Sequence, residues 1–285
     1  MNLKILTYIK LYLIVMKNYL LIDLSYYNFY RFYATKQWYK NAHSEDQFEQ
    51  GYDWSQNVIF MEKFKKMFLL NIAKYKKKFK IDKTLILKDC PRDNIWRVKL
   101  FADYKGTRKE TYTKNKFMGG HVFKKCYENI LPEILDEHTK LLKMDELEAD
   151  DLIYLSTQKI LKNDSNSNIT IISSDHDLLQ IIDENENIKL YTANLKLYND
   201  KSLGTNDLDC FSKAIMGDPS DNIPKVFKRL GKKTMLKLYN DSSLLEKKFR
   251  ENEGSFKQYC LNRTLVDFKN IPPKYLIKFN KMECL

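Results

Sequence analysis

Four short apolar runs frame the chain: NYLLID ending at Asp23, TLILKD ending at Asp89, NITIISSD ending at Asp175, and NIKLYT. None alternates cleanly between apolar and polar residues, which predicts strands buried on both faces. Between them, Val58 to Phe79 sets apolar residues at helical spacing with lysines opposite. The stretch MDELEADDLIYLSTQKIL opens on acids and continues with leucine and isoleucine three and four apart, the start pattern of a helix. Strands separated by helices predict an α/β class with a mainly parallel central sheet flanked by helices. The segment from Tyr104 to Tyr127, rich in lysine and aromatic residues and holding the Gly119-Gly120 pair, reads as a mobile or interrupted element without a core of its own. From Thr205 the strand signals stop. Three regions are therefore expected: a loosely packed extension over 1–16, a sheet domain over 17–204, and a helical lobe over 205–285. Met16 before KNYLLIDL reads as a natural chain start.

At 285 residues and 44% hydrophobic, the chain can bury a large core. Eight glycines and six prolines exclude collagen-like and linker-like classes. The +12 formal charge fits a polyanionic partner or a lysine-rich solvated surface. Five scattered cysteines without a CxxC pair point to a reducing, intracellular compartment and away from zinc or a disulfide framework. Lys4, Lys10 and Lys17 interrupt the apolar N-terminus, so no membrane span is expected, and no cleavage site marks a signal peptide.

The strand-end aspartates change this picture. In a parallel sheet the carboxyl ends of the strands share one edge, where ligands bind. Asp23, Asp89 and Asp175 end three of the four runs, and Asp177 follows just beyond. The acidic helix start adds Glu148, Asp150 and Asp151, and MGDPSDNIP adds Asp218 and Asp221. Two unit charges about 4 Å apart repel by about 4 kcal/mol at an effective dielectric of 20. A cluster of this size recruits protons or cations, and hard divalent ions take oxygen ligands directly or through their water. A pair of such ions suits in-line attack on a phosphodiester. Setting the nine acids aside leaves about +21 on the rest of the chain, placed where phosphates would lie.

ELEADD, ISSDHDLL and MGDPSDNIP, in this order and with LLIDLSYYNFYR, DYKGTR and NRTLVDF around them, resemble the flap endonuclease / 5′-3′ exonuclease family. The resemblance spans roughly Lys17 to Pro273 and is nearest to the phage-type 5′ nucleases, phage ribonuclease H among them. It implies a PIN-like 5′ nuclease core with a helical arch and a C-terminal helix-hairpin-helix. The implied activity is structure-specific, divalent-metal-dependent hydrolysis at 5′ flaps, or removal of RNA primers and 5′ ends, in DNA replication and repair. Two Mg²⁺ ions, replaceable by Mn²⁺, are implied. Asp23, Asp89, Glu148, Asp150, Asp151 and Asp175 match the tighter ion's ligands or water contacts, and Asp177, Asp218 and Asp221 match the second group. The implied partner is DNA with a 5′ flap or end, or an RNA·DNA hybrid, with replication proteins as further partners and the enzyme acting as a monomer. Two rival readings are a PIN-like ribonuclease, disfavoured by the GDPSDNIP element, and a catalytically silent DNA-binding protein, disfavoured because every matched acid is present.

By the same resemblance, Lys105 and Arg108 stand at the arch base and contact the scissile phosphate. Tyr104 has two readings, a ring stacked on a terminal base or a packing residue. The arch is expected over about 104–143, with Lys109, Lys114, Lys116, Lys124 and Lys125 suited to a single strand. SDNIPKVFKRLGKKTMLKLY resembles the hairpin that grips the duplex backbone, with Gly231, Lys232, Lys233 and Thr234 matching. Glycines found earlier in that hairpin in relatives are replaced here by KVFKRLG, so contacts are expected from Lys225, Lys228 and Arg229 instead. Arg31 lies one residue further from Asp23 than the family pattern and receives no role. The four histidines lack ligand spacing, and Trp38, Trp54 and Trp96 read as packing residues.

Overall fold

The computed structural model describes residues 16–114, 116–182 and 187–282; all of the expected 1–16 extension but Met16, and the side chain of Lys109, lie outside that description. In chain order the elements are β1 (Asn18–Asp23), α1 (Leu24–Ala42), α2 (Val58–Phe79), β2 (Lys83–Leu87), α3 (Trp96–Leu100), α4 (Arg108–Lys114), α5 (Gly119–Lys125), β3 (Thr139–Leu142), α6 (Ala149–Asn163), β4 (Asn168–Ile172), β5 (Ile188–Tyr191), α7 (Asn206–Met216), α8 (Lys232–Asn240), α9 (Ser242–Glu251), α10 (Ser255–Val266) and α11 (Pro273–Asn280).

Among the described residues the strands form one parallel five-stranded sheet in the order β3-β2-β1-β4-β5. The central strand β1 pairs residue for residue with β2 (Leu21 opposite Leu85) and with β4 (Leu21 opposite Ile171). Successive side chains leave opposite faces, which explains why apolar runs without alternation form these strands. Tyr19, Leu21, Leu85, Leu87, Ile169 and Ile171 pack with α6 on one face. Leu20, Ile22, Ile86 and Ile172 pack with the aromatic faces of α1 and α2 on the other. The result is a three-layer sandwich with both faces covered.

Two elements depart from the sequence reading. β3 lies inside the stretch expected to be arch; its ends Thr139 and Leu142 are buried while Lys140 and Leu141 are exposed, the pattern of an edge strand too short to stand out. The segment after Phe117 has a core after all. Val122, Phe123, Cys126, Ile130 and Leu131 are buried against α1 and α2, so only its first part stands clear of the sheet layers.

Past residue 205, Leu208, Phe211, Ile215, Phe227, Leu230, Met235 and Leu238 make a separate small core. The chain then returns: Phe268, Ile271, Tyr275 and Phe279 join the α6 face of the sheet. Gly217 closes α7 at φ 71°, where a Cβ would meet the Ile223 carbonyl oxygen at 2.5 Å. The tight antiparallel bridge from Asp218 to Ile223 that follows requires glycine at this position.

Candidate active site

The carboxyl ends of β1, β2 and β4 converge with the N-terminus of α6. Asp23 ends β1 and caps α1, accepting from the Tyr26 N–H at 3.0 Å and from Ser173 Oγ at 3.0 Å. Asp89, two residues past β2, accepts from the Ser25 hydroxyl and from the Ala149 N–H, the latter at 2.7 Å. Asp175, three residues past β4, accepts the Asp177 N–H at 2.8 Å and so fixes the turn that follows. Glu148 stands at the N-cap of α6 with Asp150 in its first turn. Asp23, Asp89, Glu148, Asp150 and Asp175 all line one cleft of about 720 Å³, together with Lys105 and Arg108.

These carboxylates repel one another. Burial first, and then the charge of Asp89, raises Asp23 to about 7. Burial, followed by Asp175 and Asp23, raises Asp150 well above the carboxylate range, and its Oδ1 is buried without a hydrogen-bond partner. An unsatisfied buried acceptor among like charges is a site short of positive charge. Among the described residues no three acids, histidines or cysteines already stand as a closed ligand set. The open spacing and all-oxygen donors suit a hard divalent ion that keeps part of its water, so the residues fit such a cation.

Glu148 differs. Lys105 Nζ lies 2.5 Å from it, Arg97 3.0 Å and the Tyr104 hydroxyl 3.1 Å. Burial opposes its ionisation, but Lys105 and Arg97 prevail and lower it to about 2. Burial likewise works against the Lys105 ammonium, yet Glu148, Tyr104 and Asp221 hold it well above the ordinary lysine range. Lys105 has φ 55°, a left-handed conformation that costs about 1–2 kcal/mol for a side-chain-bearing residue. Its N–H donates to the Asp221 carbonyl at 2.9 Å, which pins that turn. Arg108 NH2 donates to the Asp221 carboxylate at 2.8 Å.

Several expected residues fall outside the cleft. Asp151 is fully buried, and both its oxygens receive the Arg97 guanidinium, at 2.6 and 2.8 Å, with Trp96 Nε1 at 3.1 Å. Its place is behind Glu148, as a support. Tyr104 is only 3% exposed and donates toward Glu148 and Asp221, so base stacking is corrected to packing and hydrogen bonding. Asp177 and Asp218 are drawn together by Lys213, which pairs with both, at 2.8 Å to Asp218. Asp218 is lowered to about 2, burial being outweighed by Lys213. Asp221 pairs with Lys105 and Arg108 of the cleft. Asp175 and Asp218 also line an adjoining cavity of about 600 Å³, with Lys232 on its rim. Gly231 caps α8, placing Lys232, Lys233 and Thr234 in its first turn, with both lysines exposed. Lys225 and Lys228 are exposed in the loop before it.

Arg97 and Lys213 were missed from sequence. Each is a single basic residue inside a helical apolar pattern, WRVKL and FSKAIM, where a buried cation looks like a surface one.

A family model described as the 5′-3′ exonuclease N-terminal resolvase-like domain matches residues 18–207. The chain belongs to the 5′-3′ exonuclease family. Its class is therefore that of a nuclease, and the matched span contains every cleft carboxylate. Curated relatives include DNA polymerase I of Lactococcus lactis, 28% identical over 188 residues, and that of Streptococcus pneumoniae, 32% identical over 184. These alignments take in 62% and 61% of this chain but only 20% and 19% of the polymerases. Among solved structures, a bacteriophage T5 protein co-crystallised with metal ions aligns at TM-score 0.65 and 17% identity, over 93% of this chain and 97% of its own. A T5 flap endonuclease in a pseudo-enzyme-product complex with DNA and metal ions aligns at 0.61 and 16%, over 92% of each. At these identities the likeness shows a shared fold.

Proposed function

We propose that this chain is a Mg²⁺-dependent, structure-specific 5′ nuclease that hydrolyses phosphodiesters at 5′ flaps and 5′ ends of DNA, or removes RNA primers from RNA·DNA duplexes. The observation that carries the reading is the convergence of Asp23, Asp89, Asp150 and Asp175, none of them in an ion pair among the described residues, beside the paired bases Lys105 and Arg108. Divalent ions bound there would supply an activated water and neutralise the leaving oxygen. Asp23, Asp89, Asp150 and Asp175, with Glu148 beside them, are the residues that would hold them. Asp177 and Asp218 would join a second ion once Lys213 gives way.

Lys105 and Arg108 supply the chain's own contribution. A scissile phosphate entering the cleft competes with Glu148 and Asp221 for their donors, and the pinned left-handed turn keeps Lys105 from retreating. Preorganised positive charge at that point stabilises the extra charge of the transition state. The helical part after residue 205 grips the duplex through the α8 N-terminus, Lys232 and Lys233, and the preceding loop lysines, without reading sequence.

The test is a set of end-labelled 5′-flap, nicked and RNA·DNA substrates incubated with Mg²⁺ or EDTA. Metal-dependent cleavage at or near the junction supports the reading, and the product lengths separate flap from exonucleolytic action. An intact label on every substrate with Mg²⁺ present would remove it.

A further inference from the structure

A second cavity, of about 320 Å³, opens between α1, the loop at 48–54 and the link between α4 and α5. It takes no part in the site above. Its lining combines aromatic rings with Lys36, Lys40 and Lys116. Trp54, 3% exposed, sits at its floor within an aromatic cluster, 4.8 Å from Phe48 and 5.1 Å from Tyr52 between ring centroids. Lys36 Nζ reaches over the Trp54 ring at 5.8 Å, and among the described residues no carboxylate pairs with it. Burial, and then Lys40, hold Lys36 below the ordinary lysine range. Glu49 also lines the cavity, against three lysines, so its balance is positive.

The rings continue from this cavity back to the nuclease cleft. Phe29 and Tyr112 line the cleft. Phe117 lies 5.2 Å from Phe29 at an interplanar angle of 23°, and 5.5 Å from Tyr112 at 33°. Tyr33 follows at 6.3 Å from Phe117, again at 33°, and is 54% exposed at the cavity mouth. These shallow angles form a stepped series of rings from one site to the other. A hydrophobic core favours tilted and edge-on contacts as readily as parallel ones; a run of rings inclined by 23–33° with an exposed end, flanked by lysines, suits stacked bases and their phosphates.

We propose that this cavity seats one unpaired nucleotide of the 5′ single strand, several positions beyond the cleavage point, with its base against Tyr33 and its phosphate held by Lys36 and Lys40. This rests on the nuclease reading for the identity of the strand, while the site stands on its own rings and charges. It would make the enzyme sensitive to flap length, since a flap too short to reach the cavity forgoes the contact.

The experiment uses wild-type protein in EDTA, where no cleavage is expected, and flapped duplexes with 2-aminopurine placed at each flap position in turn. The expected result is a fluorescence change confined to one interior flap position, lost in Tyr33→Ala and retained in Tyr33→Phe. Lys36→Ala with Lys40→Ala should lower the preference for flapped over flapless nicked duplex by about tenfold, the loss of roughly one stacked, charge-held base. A signal at no interior position, or one that survives Tyr33→Ala, overturns the cavity. Failure of wild type to cut any 5′-ended DNA with Mg²⁺ overturns the nuclease reading instead, and the fluorescence profile still decides the cavity.

Discussion

The two acidic groups of this site are built from the same residue type and differ in their ion pairing, although burial still raises Asp177 of the paired group to about 7 against the pull of Lys213. Asp23, Asp89, Asp150 and Asp175 face one another with no ion pair among the described residues, and burial and repulsion raise Asp23 and Asp150. Asp177, Asp218 and Asp221 are answered from within the chain by Lys213, Lys105 and Arg108. The first group is a vacancy for positive charge. The second is closed until something displaces its lysine or its arginine. A cluster of aspartates therefore does not by itself define a metal site; what matters is which of them the fold leaves unneutralised.

The sharpest break of that contrast is Asp175→Ala, expected to slow cleavage of a labelled 5′ flap by a thousandfold or more, about 4 kcal/mol of transition-state stabilisation, with duplex affinity retained. Near-parental cleavage would mean that the open group is not the catalytic one. Next comes Arg97→Met, which leaves Asp151 and Glu148 buried and facing each other. Breaking a buried pair of this kind costs about 3–5 kcal/mol, read as a lower urea midpoint at unchanged slope.

Lys213→Met should convert the closed group into an imitation of the open one. The metal-free variant is expected to lose about 1–3 kcal/mol from carboxylates left without their partner, and Mg²⁺ should restore more of its melting temperature than it adds to wild type. Equal Mg²⁺ responses would show that Lys213 is not what closes the group.

Asp150→Asn gives a smaller change of opposite sign. Removing one repelling charge should raise the metal-free melting temperature by about 2–4 °C, corresponding to about 1 kcal/mol, while activity falls. The pH dependence has a definite direction. A carboxyl raised in the folded state, such as Asp23 at about 7 from an ordinary 3.8, favours folding at low pH, and that contribution is lost as pH rises from about 4 to about 7. Melting curves of metal-free protein should decline across this window, and Mg²⁺ should flatten the decline. The smallest effect is that of Lys232→Ala, which should weaken duplex binding regardless of sequence and lower the log–log salt slope by about one. An unchanged slope would take α8 out of the contact surface.

Much of this was legible in the chain because strand ends are marked chemically. Three apolar runs stop at aspartate, and the sheet edge they share follows from parallel order. α1 was less legible: its buried face includes Asn28, Arg31 and Thr35, polar residues that blur the helical stripe. β3 exposes half of its four residues. The site was legible as a set of acids and illegible as a set of charges. Nothing in the local sequence distinguishes Asp150, left unpaired, from its neighbour Asp151, clasped by an arginine 54 positions away. Tyr104 carried two readings, stacking or packing, that the local sequence could not separate, and the tertiary contacts bury it.

Because Asp23, Asp89 and Asp175 extend from three strands that are already side by side in one ladder, their spacing is set by backbone pairing. The short turns that carry Asp89 and Asp175 add only local hydrogen bonds, to Ser25, Ala149 and Asp177. The segment between β2 and β3 and the helical end of the chain can then differ in length and composition while the strand ends keep the acids together.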